Sequence, residues 1–184
     1  MSHSSTELLI GYWQSRLIDG KAPARASIDP THFPSLLPQV FMIGRRGPAD
    51  YVFRLAGGMI LDLHQMDLRG AAFTHLWVQH ARLSLQTALE HARRRVSPIR
   101  LTAEAQSGPY VLPINMGLMP LANPDGEIDR FLGIYEPTAP LADLASQPIY
   151  RLHLVTLGGI AITPGVAAID SGHLRLAAMG GSRL

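Results

Sequence analysis

The chain has 184 residues, enough for one globular domain with some chain to spare. Nearly half of it, 47%, is hydrophobic and only 16% is charged, so much of the surface falls to Ala, Gly, Ser, Pro and Gln, a composition suited to contact with partners or with a second copy. The absence of cysteine excludes disulfides, thiolate metal sites and cysteine-adduct photochemistry, and a net charge of +2 argues against nucleic-acid binding: the densest basic run, Arg93-Arg94-Arg95, lacks interleaved aromatics and suits a helix C-terminus.

Ser4 to Gly20 reads as an amphipathic helix. Ser4-Ser5-Thr6-Glu7 offers a capping box, Leu9, Trp13 and Leu17 share one face, and Gly20 can end it. That stripe needs a cover, either the rest of the domain or the same helix of another copy, which makes Leu9, Trp13 and Leu17 candidates for a homodimer face. Met1 to Thr6 lacks the basic-then-apolar order of an export signal, and no stretch approaches eighteen apolar residues, so the expectation is a cytoplasmic protein without a membrane partner.

Pro23, Pro30, Pro34 and Pro38 interrupt Lys21 to Pro38, leaving a structured connector with one short helical turn over Pro30 to Leu37. Gln39 to Arg45 and Tyr51 to Ala56, rich in Val, Ile and Phe and separated by Arg46-Gly47-Pro48-Ala49-Asp50, predict a first β-hairpin. Gly57 to Trp77 is dense in Leu, Met and Gly without one clean period, as two or three short helical turns would be. Val78 to Val96 carries the clearest helical period, with Leu85, Ala88, Leu89, Ala92 and Val96 on one face and Glu90, His91, Arg93 and Arg94 away from it.

Ile99 to Gln106 alternates strictly and predicts a half-buried strand. Tyr110 to Leu121 alternates through Leu112, Ile114, Met116 and Leu118, with Pro113 marking an edge or a bulge. Asn123-Pro124-Asp125-Gly126 is a tight turn, and Ile128 to Tyr135 returns as a strand stopped by Pro137 and Pro140. Beyond Ala139 the chain turns Ala- and Gly-rich, and apolar runs at Leu152 to Leu157 and Ile160 to Ile162 can add one or two strands or a loose helix. The last dozen residues, with Gly180-Gly181-Ser182-Arg183, are expected to be poorly ordered. The division is therefore 1–20, an amphipathic helix; 21–138, the main domain; and 139–184, an extension. The class is α+β, an antiparallel sheet with helices gathered on one face plus the N-terminal helix.

Arg54-Leu55-Ala56-Gly57-Gly58, then Leu63 and Asp67-Leu68-x-Gly70, resembles the second-strand-to-helix signature of short, stand-alone bacterial PAS-domain proteins. Trp13, Pro23-x-Arg25, Ile28-Asp29-Pro30 and Leu36-Leu37-Pro38 resemble that family's N-terminal segment, and Leu118-Met119-Pro120-Leu121, Asp125-Gly126, Arg130 and Leu132-Gly133 its closing hairpin. The likeness spans residues 8 to 136. The signature residues are Arg54, Gly57, Asp67 and Gly70; the chain departs from the pattern at Gly58, where relatives have Thr, and at Gln65-Met66, where they have Gly-Arg. The resemblance implies a five-stranded antiparallel sheet flanked by helices and a role in signal sensing or protein contact; it does not imply a catalytic activity.

The residues show little chemistry of their own. Eight histidines invite a metal or haem reading, but none has the spacing of a zinc site. His64, His75, His80 and His91 lie where haem-binding PAS domains keep an axial ligand, and a Soret band would reveal haem; no flavin signature is present. Asp62 and His64 could pair for acid–base work, yet no GxSxG elbow accompanies them. Gly57-Gly58 reads as a tight turn rather than a phosphate loop. Leu61, Leu63, Trp77, Leu85 and Leu89 can line an apolar pocket between sheet and helices or simply fill a core. The expected function is a non-enzymatic sensory or regulatory module that binds a small apolar ligand or a signalling-protein partner and transmits the change through its terminal helix or dimer interface. The alternative is a ligand-free adaptor.

Overall fold

A computed structural model of the protein describes residues 4–144, 147–158 and 160–161. The expected final disorder falls outside these residues. Seven antiparallel strands form one sheet: β1 (Val40–Gly47), β2 (Asp50–Ala56), β3 (Ile99–Ser107), β4 (Tyr110–Ala122), β5 (Ile128–Pro137), β6 (Arg151–Leu157) and β7 (Ile160–Ala161). Their order is β2-β1-β5-β4-β3-β6-β7. The five strands read from the alternation are all present, and the extension continues the sheet past β3, with Ala105 opposite Leu152 and Ala103 opposite Leu154.

Period-two alternation sorts the side chains to two faces. On one, Phe41, Ile43, Tyr51, Phe53, Leu101, Ala103, Leu112, Ile114, Met116, Phe131 and Tyr135 meet helix α2 (Gly58–His64), the 3-10 turn Phe73–Leu76 and helix α3 (Gln79–Arg95) in the main core. On the other, Val40, Met42, Met119, Leu121, Leu132 and Ile134 are covered by Leu9, Ile10 and Trp13 of helix α1 (Ser5–Ser15). The N-terminal stripe is thus covered by its own domain. Leu9 and Trp13 face the sheet, and Leu17, past the helix end, packs partly buried against the same cluster.

Several local readings are corrected. α1 stops at Ser15, and Asp19-Gly20, both with positive φ, instead form a tight turn between Ile18 and Lys21. The expected capping box does not form: the Ser4 side chain makes no capping hydrogen bond, and Glu7 pairs with Arg100 at 2.9 Å. Val96 does not extend the buried face of α3, because it ends the helix in a left-handed conformation (φ 50°) and packs into the second cluster. The connector holds three 3-10 turns, Arg25–Ser27, Pro30–His32 and Pro34–Gln39, rather than one.

Pro113 sits one residue beyond the pairing with β5, which begins at Ile114, and its carbonyl accepts from the Thr138 N–H at 2.9 Å just past the end of β5, so its missing N–H leaves no ladder bond broken in mid-sheet. At its other end β4 outruns β3, which pairs only as far as Leu118. There the Trp13 indole N–H donates to the Pro120 carbonyl at 2.8 Å, and the Ala122 N–H donates to Pro23 at 2.9 Å. The segment before β1 therefore closes an edge that would otherwise expose backbone groups.

Candidate functional site

Three of the four family-signature residues, Gly57, Asp67 and Gly70, shape the backbone. Gly57 caps α2 and donates its N–H to the Val40 carbonyl at 2.8 Å; a Cβ there would collide with the Leu37 and Pro38 carbonyls. Asp67 accepts from the Arg69 N–H at 2.9 Å, and Gly70, at φ 80°, donates to the Phe53 carbonyl at 2.9 Å, so this turn folds the chain back along the open edge of β2. Arg54 lies exposed, its stem across Gly44, where a Cβ would meet it. Gln65, where relatives carry Gly, is left-handed (φ 49°) and ends α2. That position favours glycine for want of a Cβ.

Of the pocket candidates, Leu63, Trp77, Leu85 and Leu89 are buried in the main core, with Leu61 packed at its margin. Around Trp77 the rings of Phe41, Phe53 and Phe73 pack with centroids 5.7 to 5.9 Å apart. These rings occupy the volume beneath α2 and the Phe73–Leu76 turn. Two surface clefts lie elsewhere: one of about 470 Å³ between Arg45, Arg93, Asn123 and Asp129, and one of about 390 Å³ beside α3 at Leu83, Glu90 and Arg94.

The polar feature of the interior is a pair the sequence reading did not find. His64, 4% exposed, sets its Nε2 3.3 Å from the Tyr135 hydroxyl, ring edge to face, while its Nδ1 has no hydrogen-bond partner among the described residues. The Trp77 indole N–H is buried and equally without a partner. Burial pushes the imidazole down to about 4, against a smaller opposing effect of the Ile149 main chain, and pushes the Tyr135 phenol up. His64 is therefore neutral near pH 7. The neutral ring carries one proton, so Nε2 accepts from Tyr135 in one tautomer and donates to it in the other, whereas the Trp77 indole nitrogen is a donor in either case.

Asp62 is exposed on the other side of α2 and forms no dyad with His64. His75, His80 and His91 are exposed. The residues present do not fit haem, since the one buried histidine among the described residues, His64, turns its Nε2 to Tyr135. Among the described residues no group of three His, Asp or Glu side chains is placed to hold a metal ion, and no helix is long and apolar enough to cross a membrane.

On the opposite face, Glu136 gathers the start of α1. Its carboxylate accepts from Ser4 Oγ at 2.6 Å, Ser5 N at 2.7 Å, Thr6 N at 3.2 Å and Thr6 Oγ1 at 2.7 Å. Burial raises the Glu136 carboxyl, but these donors outweigh it and hold the group below the usual range. A third polar junction ties the first hairpin to α3: Glu90 accepts from Tyr51 at 2.9 Å and from Arg93 at 2.9 and 3.0 Å. Arg93 is thus engaged within the fold, whereas Arg94 and Arg95 are exposed at the helix C-terminus.

A family model described as a PAS domain matches residues 1–136. No curated protein sequence matches the chain. Among solved structures, a light-oxygen-voltage domain studied with a flavin analogue is 11% identical, covering 62% of this chain and 87% of its own (TM-score 0.47). The dark structure of the blue-light photoreceptor Aureochrome1 LOV is 10% identical, covering 62% and 85% (0.46). An RNA-binding light-oxygen-voltage receptor is 14% identical, covering 71% of this chain and 39% of the receptor (0.45).

Proposed function

The chain belongs to the PAS-domain family, and from that premise we propose that it is a non-enzymatic sensory or regulatory module whose interior binds a small, mostly apolar molecule presenting an oxygen acceptor. The supporting observation is the buried Trp77 indole N–H, left without an acceptor inside an otherwise apolar core that also holds the neutral His64 imidazole. Such a group costs about 1–3 kcal/mol, and a ligand carbonyl or carboxyl would return that energy as affinity. Leu61, Leu63, Leu85 and Leu89 supply the apolar wall. Entry requires the wall to yield, and the segment Gln65–Gly70, exposed except for Leu68, is the portion with least packing to lose.

The ring packing of Phe41, Phe53, Phe73 and Trp77 favours a second reading, an adaptor with a filled core. A homodimer through α1 would then use its outward Leu8, or would lift Leu9, Trp13 and Leu17 from the sheet. Native mass spectrometry of the full chain separates the two. Mass retained beyond the polypeptide, reduced in Trp77→Phe, supports the ligand reading; bare polypeptide mass, with no compound extracted from the purified protein, supports the adaptor.

A further inference from the structure

α3 turns a second stripe away from the core. Leu83, Gln86, Thr87, Glu90, His91 and Arg94 recur at helical spacing on the side away from Leu85, Leu89 and Ala92, which are buried. Together with Ala49 of the β1–β2 turn, this stripe lines the cleft of about 390 Å³. Its two ends differ in chemistry. At one, Leu83 is 64% exposed. A single exposed Leu is ordinary on a protein surface, but this one lies in a concave site with a free cation further along the same stripe. The helical rise from Leu83 to Arg94 is about 16 Å.

The charge of the cleft turns on Glu90. Its carboxylate is taken up within the fold, accepting from Tyr51 at 2.9 Å and from Arg93 at 2.9 and 3.0 Å, with Arg45 3.8 Å away. Arg94, by contrast, makes no hydrogen bond or ion pair among the described residues, and neither does Arg95 beside it. Two unpaired cations outweigh the partial negative charge of the helix C-terminus, so this end of the cleft is electropositive.

We infer that the cleft is a docking site for an acidic peptide segment of a partner protein, which seats one apolar side chain against Leu83 and Ala49 and sets a carboxylate on Arg94. Nucleic acid would satisfy the arginines and leave Leu83 uncovered. A two-fold contact between copies would set Arg94 against this same stripe, whose one carboxylate is already engaged. The proposal does not rest on the interior ligand.

The test is selection of a phage-displayed library of random twelve-residue peptides on the full chain. Enriched sequences are expected to carry Asp or Glu together with at least one Leu, Ile, Met or Phe. A synthesised, fluorescein-labelled peptide of that group is expected to bind at least about tenfold more weakly to Arg94→Glu and to Leu83→Ser, as loss of a charge partner or an apolar anchor predicts, and more weakly as salt rises. Both side chains are exposed, and unchanged urea midpoints establish that the variants are folded. Enrichment of no sequence, or of basic or uncharged ones, overturns the proposal, as does equal affinity for wild type and both variants. Two further results overturn it in favour of another occupant: a dimer mass in native mass spectrometry that Leu83→Ser abolishes, and tighter binding of a labelled oligouridine than of the peptide, lost in Arg94→Glu.

Discussion

Two residues show how far a missing or misplaced Cβ governs this fold. At Gly57 the obstacle is backbone, the carbonyls of Leu37 and Pro38, which cannot swing aside as a side chain would. Gly57→Ala is expected to cost roughly 2–4 kcal/mol through a forced shift between α2 and the connector. Ala49 presents the converse case. It holds a left-handed conformation (φ 52°) in the β1–β2 turn, which disfavours any L residue with a Cβ, so Ala49→Gly is expected to stabilise the protein by up to about 1 kcal/mol despite glycine's larger unfolded-state entropy. Urea unfolding midpoints at constant slope measure both. A destabilised Ala49→Gly would mean that the turn gains more from restricting the unfolded chain than it loses in strain.

At the scale of elements, what the sequence disclosed was periodicity, and what it concealed was partnership. Ile99 to Gln106 alternates so strictly that β3 could be read directly, and Leu85 and Leu89 could be placed on the buried side of α3. The stripe of α1 was equally visible, but a stripe says only that something covers it; that its cover is the back of the same sheet depends on pairings between distant strands. The same limit hid the capping of α1. Ser4-Ser5-Thr6-Glu7 has the local form of a capping box, yet the partly buried Glu136 takes the donors of the first turn, while Glu7 goes to Arg100. His64 and Tyr135 lie 71 residues apart, so no spacing rule could join them. Trp13 was legible as buried but not as a hydrogen-bond donor. Trp13→Phe keeps most of the packing and strands the Pro120 carbonyl, so a loss of about 1–3 kcal/mol is expected, with faster exchange confined to α1 and the end of β4.

For the molecule as a whole, the buried histidine and the clasped carboxylate predict a two-stage response to acid. His64 is held down to about 4 from an ordinary value of 6.5, so the folded state resists protonation that the unfolded chain accepts. Its contribution is fully present above pH 6.5 and declines as pH falls toward 4, by about 3 kcal/mol in all. Glu136 is also held below its ordinary value of 4.5, but as an acid whose charged form is the one bound. Its contribution is present above 4.5 and is lost only as pH falls through the lower folded value, a range shared with Glu7 and Glu90, which are likewise lowered. Unfolding free energy should therefore slope downward from pH 6.5, before any carboxylate responds, and steepen below 4.5. The double variant His64→Leu with Tyr135→Phe removes both members of the interior pair without stranding either. Urea titrations at half-unit steps should show its stability level between pH 6.5 and 4.5 and the steep acid limb retained. If the wild-type protein is itself level over that interval, His64 is not the buried neutral base that its surroundings require, and the apolar interior proposed for the ligand must be abandoned with it.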